Sequence, residues 1–93
     1  MENQPNTINI MFASSTGYNI IMVVSTFTIF EQLFKDYMKR LNLSCYPIGD
    51  IQFLYIGKRL NPYSKVQIGE ILKNNDRIDV LDIGSILGAY KLI

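Results

Sequence analysis

Phe53-Leu54-Tyr55-Ile56-Gly57-Lys58-Arg59-Leu60, followed later by Asn75-Asp76-Arg77-Ile78-Asp79-Val80-Leu81, are the segments on which the fold of this chain turns. The first belongs to an expected strand over residues 51–56, apolar except at Gln52. Alternation there puts Phe53 and Tyr55 on one side of an extended chain and Gln52, Leu54 and Ile56 on the other. Gly57 then breaks the run, because glycine accepts the positive φ that other residues resist. Gly57-Lys58-Arg59 reads as a tight turn into a short extended segment at Leu60-Asn61. The second segment opens on a polar turn, Asn74-Asn75-Asp76, and becomes a last strand over 77–81, with Ile78 and Val80 facing one way and Asp79 and Leu81 the other.

Working outward, residues 8–14 alternate with Ile8, Ile10 and Phe12 on one face and Asn9, Met11 and Ala13 on the other. Ser15-Thr16-Gly17 supplies a hairpin turn. Residues 18–24 return as a strand that is apolar on both faces, with Ile20, Met22 and Val24 on one and Asn19, Ile21 and Val23 on the other. Thr28-Ile29-Phe30-Glu31 has the pattern of a capping box, so a helix is expected to start there. Phe30, Leu33, Phe34, Tyr37, Met38 and Leu41 recur at helical spacing, with charged and polar residues between them. Residues 43–50, holding Pro47 and Gly49, read as a loop, and residues 66–72 hold room for one helical turn. The order is strand, strand, helix, strand, short strand, strand.

These segments, in this order and at these separations, resemble the ubiquitin family, including the small ubiquitin-like modifiers. The resemblance spans residues 8–81 and implies an α+β, ubiquitin-like β-grasp fold: a mixed sheet of four to five strands gripping one helix. It divides the chain into a loose N-terminal tail at 1–7, a domain at 8–82 and an apolar C-terminal tail at 83–93. The expected core is Ile8, Ile10, Phe12, Ile20, Met22, Val24, Phe30, Leu33, Tyr37, Leu41, Phe53, Tyr55, Val66, Ile71, Ile78 and Val80.

Function is bounded first by what is missing. The 93 residues are 48% hydrophobic and 18% charged with a net charge of +1, enough apolar material for one folded domain and no basic stripe for nucleic acid. There is no histidine, so the commonest general base and metal ligand is lacking. Cys45 is the one cysteine and has no activating partner in sequence, so it reads as an inert thiol. Asp50, Glu70, Asp76, Asp79 and Asp82 lack a metal-binding spacing. No catalytic residue, metal site, cofactor or small-molecule substrate is expected. The most apolar stretch, 18–30, is broken by Ser25, Thr26 and Thr28 and falls short of the roughly 20 apolar residues of a membrane span. Asn42-Leu43-Ser44 matches a glycosylation acceptor, but no secretion signal accompanies it, so chance is the better reading. An intracellular protein, cytoplasmic or nuclear, is expected.

What remains is protein binding. The sheet face turned from the helix would carry Asn9, Met11, Ala13, Asn19, Ile21, Val23, Gln52, Leu54, Ile56, Asp79 and Leu81, more apolar surface than a monomer usually exposes. The resemblance implies recognition through the outward positions of the third and last strands, here Leu54 and Leu81. Met11, Ile21, Val23, Ile56 and Lys58 complete the candidate set, and the second strand, as an edge, is open to pairing with a partner strand. Conjugated members of the family end in glycine, whereas this chain continues past Gly88 through Ala89-Tyr90-Lys91-Leu92-Ile93. The expectation is therefore a non-catalytic subunit or adaptor bound through the sheet face and the tail. The alternative is a conjugatable modifier trimmed after Gly88.

Overall fold

The computed structural model describes residues 6–81 apart from 16 and 44–46. Cys45, the tail beyond Leu81 with Gly88, and most of the N-terminal tail lie outside the described residues.

The strands are β1 (Thr7–Ser14), β2 (Asn19–Ser25), β3 (Gln52–Tyr55), β4 (Lys58–Leu60) and β5 (Asp76–Leu81), and the helix is α1 (Phe30–Arg40). They form one mixed sheet in the order β2-β1-β5-β3-β4. β1 pairs antiparallel with β2 and parallel with β5, so the first and last strands meet at the centre. β5 pairs antiparallel with β3, and β3 with β4. This is the expected α+β arrangement of five strands and one helix.

Alternation explains the core. Ile10, Phe12, Met22, Phe53, Ile78 and Val80 point inward and are buried, and Phe30, Leu33, Phe34, Tyr37 and Met38 face them from α1. The centre is aromatic. Phe34 stacks on Phe53 with ring centroids 3.9 Å apart, Phe12 stacks on Tyr37 at 4.4 Å, and Phe12 meets Phe53 edge-on at 6.5 Å. Ile8, Ile20, Val24, Leu41 and Tyr55 pack at its margin.

Four expectations require correction. First, no side chain caps α1, and its N-cap residue is Ile29. The amides of Phe30 and Glu31 donate instead to the carbonyls of Val66 and Ser64, at 3.0 Å each. A bridge between Ile29 and Gln67 holds that loop in place, and the Glu31 carboxylate accepts from Lys65. Second, the one helical turn expected at 66–72 is present as the 3-10 turn Ile68–Glu70, but it buries other residues than those expected. It buries Ile68 and Leu72 and leaves the expected core residues Val66 and Ile71 41% and 44% exposed. The extended backbone at Gln67, tied to Ile29, sets that phase. Third, the expected loop at 43–50 holds a second 3-10 turn, Ile48–Asp50, with Ile48 and Ile51 buried.

The fourth correction bears on function. The turn between β3 and β4 consists of Ile56 and Gly57, with Tyr55 paired to Lys58, and it begins one residue earlier than the position of glycine suggested. Ile56 is therefore a turn residue and not part of the sheet face.

Candidate protein-binding surface

α1 covers one side of the sheet, and the opposite side is built from the alternate residue of each strand. On β2 these are Asn19, Ile21 and Val23, all exposed, with Ile21 at 61% and Val23 at 67%. Met11 lies directly between Ile21 on one neighbour and Arg77 on the other. Ile21, Val23 and Met11 thus form one apolar group over the β2–β1 half.

The other half carries Leu54 and Leu81. Leu54 pairs with Asp79 and Leu81 with Gln52, which makes the two leucines diagonal neighbours on adjacent strands. Leu81 is 45% exposed and Leu54 is partly buried. Between the two halves, β5 presents an ion pair in which Arg77 Nε lies 3.0 Å from Asp79 Oδ1. The outer face is therefore two apolar groups flanking a charged strip. Arg77 was not among the expected face residues, although its alternation with Asp79 and Leu81 places it there.

Of the remaining candidates, Ile56 stands at the hairpin tip, 77% exposed. Lys58 is opposite Tyr55, whose ring packs on the core, so its register belongs to the helix side at the edge of the sheet.

The two sheet edges differ in chemistry. β4 is three residues long, Lys-Arg-Leu, which is the short and charged form that discourages pairing with another strand. β2 is seven residues long, Asn-Ile-Ile-Met-Val-Val-Ser, with no charge and no proline. Exposed aromatics stand just outside it, Tyr18 at 68% and Phe27 at 60%. The sequence reading missed both. Their position at the ends of an apolar strand was the available signal.

No family model matches this chain, and no curated protein matches it. Among solved structures the likeness is clear. One, described by the words "Molecular Mimicry of SUMO promotes DNA repair", superposes with a TM-score of 0.70 over 84% of this chain and 94% of its own, at 19% sequence identity. The fold is a ubiquitin-like β-grasp. In this β-grasp domain no group of three or more His, Cys, Asp or Glu side chains is placed to hold a metal, and no helix is long and apolar enough to cross a membrane, among the described residues.

Proposed function

We propose that this ubiquitin-like domain is a non-catalytic protein-binding module, a subunit or adaptor held in a larger assembly through the outer face of its sheet. The observation that carries the reading is the undefended β2 edge beside Ile21 and Val23. A long, uncharged edge strand is a template for an added strand, and its exposed alternate side chains supply pockets and contacts for the incoming one. The solved structure described as molecular mimicry of SUMO supports the same class through its shared fold. Leu54 and Leu81 offer a second contact area across the Arg77–Asp79 strip, and the apolar segment at 83–93 is a further candidate contact.

The test pairs stability with association. Leu54→Glu with Leu81→Glu, and separately Ile21→Lys with Val23→Lys, should leave the purified protein folded, because all four side chains lie on the sheet face turned from the core; the melting temperature should change least for the second pair, which is the more exposed. Burying the new charges against a partner should weaken co-purification from native cells by a free energy of several kcal/mol, on the order of 2 to 4. If both pairs retain their partners, the outer face is not the contact. Deleting 84–93 should likewise weaken retention while the domain still melts normally. Mass spectrometry of the native protein distinguishes conjugation: a mature chain ending at Gly88 would replace the adaptor reading.

A further inference from the structure

The loop joining β3 to β4 has two residues, Ile56 and Gly57, and both have positive φ, 52° and 76°. Two-residue hairpins favour this left-handed pair because its twist matches that of the strands, and Asn-Gly is the sequence that adopts it at least cost. Gly57 meets the requirement. Ile56 does not, since a β-branched side chain is among the poorest occupants of the left-handed region. Nothing in the packing compensates, for the side chain is 77% exposed. The position therefore carries backbone strain and an apolar side chain in water, and an asparagine would relieve both. Folding does not account for the residue.

What surrounds it is cationic. Lys58 and Arg59 follow directly, both exposed, and neither has an ion-pair partner among the described residues. The tip offers a single projecting aliphatic side chain on a short paired hairpin, flanked by one exposed positive charge on each side, Lys58 towards the helix side and Arg59 opposite Leu54 on the outer face. We infer that Ile56 is an anchor which inserts into an apolar pocket rimmed by carboxylates on a folded partner protein. The inference rests on the reading that this chain binds proteins, but it uses the hairpin tip and not the sheet face or the β2 edge. Insertion removes the isoleucine from water, the cations pair with the acidic rim, and the hairpin holds the anchor in place before contact, so little ordering is lost on binding. A basic rim would meet Lys58 and Arg59 with repulsion.

The probe is a display library of small folded domains with randomised surfaces, divided into an acidic and a basic pool and selected on the full chain. The acidic pool should yield binders whose affinity falls about tenfold or more on Ile56→Asn. The same substitution should raise the melting temperature by about 4 °C or more, since it relieves the turn. Lys58→Glu with Arg59→Glu should abolish the preference for the acidic pool. A lower melting temperature for Ile56→Asn would make the isoleucine structural and overturn the inference. So would acidic binders indifferent to Ile56→Asn, selection from the basic pool alone, or no selection at all. Binders lost with Ile21→Lys and Val23→Lys but kept by Ile56→Asn would overturn the anchor and leave the sheet-edge reading standing. Binders indifferent to every variant would overturn both.

Discussion

Tyr55 and Glu31 show how single side chains tie the loops to the domain. The Tyr55 hydroxyl donates to Asp76 Oδ2 at 2.7 Å, and the same oxygen accepts the Lys73 amide at 2.8 Å, so one carboxylate fastens β3 to the turn entering β5. That hydrogen bond, helped by partial burial and the nearby negative charge, holds the phenol above its ordinary range. The bonded form is the neutral one. Its stabilisation is therefore full below the ordinary tyrosine range and is lost as pH rises through the raised value. Ultraviolet titration of the wild type and of Tyr55→Phe should differ by one late-ionising tyrosine, and the substitution should lower the melting temperature. For Glu31 the sign reverses. Its carboxylate is held below the ordinary range, first by the hydrogen bond from Lys65 and then by the charges of Lys35 and Lys65, against an opposing effect of burial. Its contribution is present above the ordinary carboxylate range and lost as pH falls through the lowered value. Lys65→Met should move the Glu31 carboxyl titration, followed by NMR, upward. An unmoved titration would mean that Lys65 does not hold it.

At the scale of elements, α1 depends on its apolar stripe more than on its ends. Leu33 is fully buried, and Leu33→Ala should cost about 2 to 5 kcal/mol in denaturant unfolding. A much smaller loss would place Leu33 outside the core. The stripe was legible because helical periodicity is local. The start of the helix was not, because the acceptors for Phe30 and Glu31 come from Val66 and Ser64, and no local pattern reports a distant carbonyl. Ile68 and Leu72 escaped for a similar reason: an isolated 3-10 turn has no period long enough to read. For the binding surface, alternation placed Ile21 and Val23 correctly on β2. It misplaced Ile56, because Gly57 read as the first residue of the turn is in fact the second. A shift of one residue moves a side chain out of the strand altogether.

For the whole molecule, the sheet order is the governing fact. β1 and β5 come from opposite ends of the described chain yet pair in parallel at the centre, from Ile10 opposite Asp76 to Ser14 opposite Val80. Folding must therefore close nearly the full loop before its central ladder can form, and such non-local pairing slows folding. A chain stopped before Asp76 should lack cooperative unfolding, which a thermal melt followed by circular dichroism would reveal; a sharp transition would show that the remaining elements suffice. The parallel pairing also decides how the molecule answers tension. A pull applied at the start of β1 and the end of β5 runs along the two strands in opposite directions and slides one against the other, so their hydrogen bonds share the load and must yield together. Pulled apart at the open ends of β1 and β2, the hairpin would unzip one pair at a time. Drawn from the start of β1 and the end of β5 together, the domain resists as a clamp and gives way in a single rupture.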